Sequence, residues 1–160
     1  MTAKLFSSLL LCAGLTALTF PVRAASFSDD AAADLKRAFA AAALSTSEEP
    51  AVRAERARGE PSAGFILGAA LGAWTAAKAQ LDYDLKNPQA AGAAHASQGP
   101  ANLEAIDEDC REEKVAFERL DSRSRALGLE PSQTLAMAGA DAALAEAWRI
   151  RRAGPDSACR

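Results

Sequence analysis

Few side chains in this 160-residue sequence are of the types that catalyse reactions or bind metals. His95 is the only histidine, and the small and polar residues around it offer no rigid neighbour to position an imidazole. No cysteines or histidines have the spacing of a zinc site, and the sequence contains no phosphate-binding glycine loop and no nucleophile motif. We therefore predict that the protein is not an enzyme and uses no metal and no cofactor.

Two of the three cysteines, Cys110 and Cys159, are candidates for a disulfide. The third, Cys12, lies in an N-terminal segment typical of a secretory signal, with Lys4 near its start and a cleavage point after Ala24. Cleavage would remove Cys12, and an oxidising compartment favours pairing of the two cysteines that remain. We expect a Cys110–Cys159 bridge, and two free thiols are the alternative.

The predicted signal peptide covers residues 1–24 and leaves a single mature domain of residues 25–160. A membrane anchor that stays attached is the alternative, but the apolar stretch is short for a bilayer span and polar residues interrupt it. Cleavage changes the net charge from -3 to about -5, because two of the 18 basic residues are lost and all 21 acidic residues remain. An acidic chain of this kind is not expected to bind nucleic acid. We predict a periplasmic or secreted protein.

The elements that must position these residues are predicted to be helices throughout, which makes the protein all-α. Hydrophobic periodicity and capping residues predict helices over residues 29–44, 49–58, 62–86, 101–127 and 131–153. The second of these segments is short and has few large apolar side chains, which leaves four main helices. Small and polar residues at about 88–100 predict a flexible linker. The linker divides a small four-helix bundle-like domain into two helical hairpins.

Small residues recur at every fourth position of the helix predicted over residues 62–86, at Gly64, Gly68, Gly72 and Ala76. This stripe, here called the glycine ladder, lets another backbone approach closely, and Phe65 and Trp74 flank it. Burial against the first or third main helix is one interpretation, and contact with a partner protein or a second copy of the chain is another. Membrane association fits the sequence less well than these two interpretations. The apolar part of this helix has about 15 residues, and a bilayer span requires about 20.

Acidic residues are concentrated in the third main helix, at Asp107, Glu108, Asp109, Glu112 and Glu113. Arg111 and Lys114 are interleaved with them, a pattern typical of the exposed face of an amphipathic helix. We interpret the run as solvated surface, and a docking face for a basic partner is the alternative. No pair of carboxylates in the sequence stands out in apolar surroundings.

The order of these features resembles that of a known family. Gly64–Gly68 (GFILG) opens the glycine-ladder helix, and Ala143–Trp148 (ALAEAW) lies in the last predicted helix. With Cys110, Cys159 and the signal, the chain resembles the periplasmic immunity proteins that neutralise type VI secretion effectors. Members of that family combine glycine-rich helices with disulfides and block a cognate cell-wall-cleaving enzyme by binding it. The resemblance implies an immunity-type binding protein, and the alternative is an envelope-associated structural protein that self-associates or attaches to the membrane through the glycine ladder.

Overall fold

Six α-helices form the regular structure of the residues that the computed structural model describes, which are 28–88, 91, 101–154 and 159. The helices are α1 (Asp29–Ala42), α2 (Glu49–Arg56), α3 (Ala63–Lys86), α4 (Ala101–Ala126), α5 (Pro131–Ala138) and α6 (Ala142–Ala153). The all-α prediction is confirmed. The predicted signal peptide, His95 and most of the predicted linker lie outside the described residues.

The first and third helices begin where the sequence supplies a capping serine. The Oγ atom of Ser28 accepts a hydrogen bond from the backbone N–H of Ala31, and that of Ser62 accepts one from Phe65, with distances of 3.2 and 3.1 Å. The α1 helix begins directly after Ser28 as predicted and ends two residues earlier than predicted. The bounds of α3 and α4 agree with the prediction to within one residue.

The prediction of one continuous helix over residues 131–153 is wrong, because the chain turns between α5 and α6. Gly139 ends α5 in the left-handed conformation, with φ of 71°, which glycine adopts without a steric penalty. Asp141 then caps α6 by accepting a hydrogen bond from the Leu144 backbone N–H at 2.8 Å. This turn places α6 on a course different from that of α5 and forms a corner next to α3.

The central element is α3, which packs against α1 and against α4. The largest buried apolar side chains of the main core are Leu35, Leu67, Leu71, Trp74, Leu120, Leu135 and Trp148. A second cluster surrounds Phe65 and contains Val52 of α2 together with small residues of α1 and α3. The two predicted hairpins therefore share one core through α3. Within the described ranges, no helix has the length and apolar character needed to cross a membrane.

Candidate functional site

The glycine ladder faces α1. A Cβ atom added at Gly64 would lie 2.3 Å from the carbonyl oxygen of Ala31, and one added at Gly68 would lie 2.1 Å from that of Leu35. At Gly72 an added Cβ would lie 2.7 Å from a side-chain carbon of α1. All three distances are too short for a real side chain, so glycine is what allows the two helices to touch. The stripe is covered by the protein's own first helix.

The other residues predicted for packing or for an interface lie in or beside the core. Phe65 and Trp74 are 3% and 0% exposed, and Ala76 is half-buried. The Trp74 ring meets Phe117 and Trp148 edge-on, with centroid distances of 6.1 and 5.2 Å. These aromatic side chains join α3, α4 and α6, and neither Phe65 nor Trp74 offers an exposed surface to a partner.

Glu113 belongs to the acidic run but is only 2% exposed. Its Oε1 atom accepts a hydrogen bond from Trp74 Nε1 at 2.9 Å, and its Oε2 atom lies 3.1 Å from Arg151 Nε. The Arg151 guanidinium also lies over the Phe117 ring, 5.5 Å from its centroid. The surface interpretation is therefore wrong for Glu113, because α3 and α6 close over it and supply both of its partners.

Asp84 and Asp109, here called the carboxyl pair, meet between α3 and α4. Asp84 is 4% exposed, and its Oδ2 atom accepts a hydrogen bond from Gln80 Nε2 at 2.9 Å. Burial and a hydrogen bond between the two carboxyl groups raise the pKa of Asp109 to about 7. The sequence pattern does not indicate this pair, because two different helices contribute the two residues.

Cys110 and Cys159 form the predicted disulfide, with a Cα–Cα distance of 5.5 Å that is ordinary for such a bond. The bridge joins the C-terminal end of the chain to α4. Within the part of the chain that the structure describes, no three histidine, cysteine, aspartate or glutamate side chains are grouped so as to hold a metal ion.

An open groove of about 420 Å³ lies where α3 meets the turn between α5 and α6, and we call it the corner groove. Its apolar lining includes Phe39, Ala79, Ala143, Leu144 and Ala147. Three charged side chains complete it: Lys78 and Asp82 of α3, which form an ion pair, and Asp141 of the turn. Because α1, α3 and α6 all contribute, the groove exists only in the folded protein.

A smaller groove of about 250 Å³ lies between α4 and the loop that precedes α2. Glu48 in this loop is buried, and Arg123 of α4 donates a hydrogen bond to it through Nε at 3.2 Å. Leu44, in the same loop, is 95% exposed, and Val115 on the α4 wall is 50% exposed. The Glu48–Arg123 contact thus fixes a loop that carries an unburied leucine.

Sequence patterns did not reveal the buried carboxylates Glu48, Asp84 and Glu113. Each lies in a stretch of polar residues, and the sequence of such a stretch does not show whether water or another helix covers it. The one available signal was the indole N–H of Trp74, since most buried tryptophans donate a hydrogen bond to an acceptor elsewhere in the chain, although the buried Trp148 Nε1 has no such partner among the described residues. Comparisons with protein families, with curated proteins and with solved structures found no match.

Proposed function

We propose that the protein is a small periplasmic or secreted helical binding protein of the immunity type, which inhibits a cognate enzyme by binding it. The corner groove is the observation that carries this proposal. It exposes apolar side chains of three helices next to an ion pair, which is the mixture of surface that a protein partner contacts.

The walls of the corner groove are held in place by contacts within the protein. Gly139 and Asp141 fix the turn between α5 and α6. Trp148 and Arg151 anchor α6 to the core and to the buried carboxylate of Glu113. A groove with fixed walls binds a partner at a low cost in conformational entropy, which suits an inhibitor that must hold its target tightly.

The occupant that fits this groove is an apolar side chain on the surface of the partner. Phe39 and Leu144 offer it a contact surface, and the carboxylates of Asp82 and Asp141 can accept hydrogen bonds from neighbouring N–H groups of the partner. By the resemblance to immunity proteins, the partner would be an enzyme that cleaves cell-wall material.

Site-specific photo-crosslinking tests the proposal. A crosslinking amino acid is placed at Ala143 in the groove and, as the control, at Ala54, an exposed residue of α2. We expect the probe at position 143 to capture one partner that the control does not capture. The protein should then inhibit the partner's hydrolytic activity. Equal capture at both positions, or a partner that is not an enzyme, would contradict the proposal.

A substitution that fills the groove provides the second half of the test. Ala143→Trp places an indole in the groove and should weaken inhibition of the captured enzyme at least about tenfold, while the matched Ala54→Trp variant should inhibit as the wild type does. Full inhibition by a folded Ala143→Trp variant would show that the partner binds elsewhere.

The alternative function, self-association or membrane attachment through the glycine ladder, has no comparable support. That hypothesis needs the stripe at Gly64, Gly68 and Gly72 to be available to another molecule, and α1 occupies it. Only displacement of α1 would free the stripe, and Leu35 of that helix is fully buried in the core.

A further inference from the structure

The carboxyl pair is an unusual feature of the α3–α4 contact. Asp84 is almost completely buried and already accepts a hydrogen bond from Gln80. The Oδ2 atom of Asp109 is also buried, and no donor among the described residues bonds to it. Two ionised carboxylates can only accept hydrogen bonds, so the bond between these two groups requires a proton on one of them.

The charged groups around Asp109 favour retention of that proton. Asp84 faces it from α3, and Glu108 and Glu112 lie near it on α4. On the side of the C-terminal segment, the neighbouring Cys110 is held in the disulfide and does not titrate. Burial is the largest cause of the raised pKa of Asp109, and the charges of the described residues that shift it are all negative.

We propose that the carboxyl pair is a proton-dependent clamp, which holds α4 to the C-terminal part of α3 while one proton bridges Asp84 and Asp109 and loosens when that proton leaves. In the protonated state the carboxyl group of one residue donates to the other. In the deprotonated state two like charges face each other between the helices, and the burial of Asp84 and of the Asp109 Oδ2 atom limits the water that can screen them.

The direction of the pH effect follows from the raised pKa of Asp109. In the unfolded chain this carboxyl has a pKa near the ordinary 3.8, whereas in the folded protein its pKa is about 7. Between these values the folded state binds the additional proton, so the stability of the fold decreases as pH rises and levels off above about pH 7. The stabilisation by the clamp is fully present below pH 3.8.

Other carboxylates have the opposite effect, but in a different pH range. Hydrogen bonds lower the pKa values of Asp34, Glu55 and Glu146. Ser62 and Arg37 donate the bonds to Asp34, and arginines donate those to the two glutamates. Their stabilisation is lost only as the solution becomes acidic enough to protonate them. These three carboxylates therefore contribute little to any change of stability between pH 5.5 and 8.5.

Urea unfolding of the purified protein at pH 5.5 and 8.5 tests the proposal with Asp109→Asn and with Asp107→Asn, an exposed acid on the same helix, as the control. We expect the wild type and the control to lose at least about tenfold in folding equilibrium constant at the higher pH. Asp109→Asn should lose much less, because an amide keeps the donor and cannot ionise. Equal pH dependence of Asp109→Asn and wild type would overturn the proposal.

Carbon-13 NMR titration of the aspartate carboxyl groups gives a second measurement, which decides the matter even if Asp109→Asn fails to fold. The Asp109 signal of the wild type should titrate near pH 7. In Asp84→Asn its midpoint should move down by more than one pH unit, since a negative neighbour becomes a neutral donor. A midpoint near 4 for Asp109 in the folded wild type would exclude the clamp.

Discussion

Glu113 shows how one buried carboxylate can connect three helices. It accepts a hydrogen bond from Trp74 of α3 and pairs with Arg151 of α6, while its own backbone belongs to α4. All three side chains are buried or nearly so. The carboxylate is the hydrogen-bond acceptor for the indole N–H and the counter-charge for the guanidinium. Removal of the carboxylate would leave an indole N–H and a guanidinium without their acceptor, and an unpaired buried charge is costly.

We predict that Glu113→Ala destabilises the protein by about 3 to 5 kcal/mol. The neighbouring Glu112→Ala is the matched control, because Glu112 is exposed, and its effect should stay within about 0.5 kcal/mol. Urea unfolding followed by tryptophan fluorescence measures both variants, since Trp74 lies at the affected site. Similar stabilities of the two variants would show that the Glu113 contacts contribute little.

At the scale of a helix pair, the glycine ladder sets how closely α1 and α3 pack. Its glycines let the carbonyl oxygens of α1 lie against α3, so two alanine-rich helices bury surface although few large side chains separate them. Close packing offsets the low helix propensity of glycine, which costs up to about 1 kcal/mol per residue relative to alanine. The ladder therefore compensates for a composition poor in large side chains.

Gly68→Ala is predicted to destabilise the protein by roughly 1 to 3 kcal/mol, although alanine is the better helix former. The reason is that the added Cβ would lie 2.1 Å from a backbone oxygen of α1, which cannot rotate away. Gly72→Ala should cost less, because the closest contacts of its added Cβ are longer, at 2.7 Å to the Ala42 Cβ atom and 2.8 Å to the carbonyl oxygen of Phe39. Urea unfolding ranks the variants, and a Gly68→Ala protein as stable as the wild type would contradict the close contact.

The turn between α5 and α6 depends on Gly139. We predict that Gly139→Ala destabilises the protein by about 1 to 2 kcal/mol, because an L side chain disfavours the left-handed conformation. Gly139→Asn should cost less, since asparagine tolerates that conformation better. A Cβ at this position meets no atom within 4 Å, so the comparison isolates backbone conformation from packing. Equal unfolding midpoints for the two variants would argue against this explanation.

At the scale of the whole molecule, the disulfide cross-links the C-terminal end of the chain to the helices that pack around α3. It joins residues separated by 49 positions and ties the C-terminal end of the chain to α4. Between the two cysteines lie α5, α6 and most of α4, so the closed loop contains the corner of the proposed binding groove. Loss of the bridge should thus affect stability and the proposed inhibition together.

Reduction of the disulfide is predicted to lower the free energy of unfolding by about 4 kcal/mol, the loop-closure entropy of a cross-link of this length. Urea unfolding with and without a reductant measures the change. A Cys110→Ser/Cys159→Ser variant is the control, because its stability should match that of the reduced wild type and should not respond to the reductant. A wild type unaffected by reduction would contradict the prediction.

Much of the local structure could be predicted from the sequence. Capping serines and hydrophobic periodicity located α1, α3 and α4 to within two residues, and the cysteine count predicted the Cys110–Cys159 bond. The turn at Gly139 was missed, even though the residues that make it are local, because alanine-rich segments on both sides continue the helical pattern. Helix propensity alone does not decide where such a helix ends.

The sequence by itself determined the helical class and the presence of a stripe without side chains, and it favoured a Cys110–Cys159 bond that the structure then confirmed. Only the tertiary structure decided that α1 covers this stripe, that Glu113 and Asp84 are buried, and that Asp109 meets Asp84. The physical reason is that periodicity records which face of a helix is apolar, whereas the burial of a charged side chain depends on partners supplied by other helices.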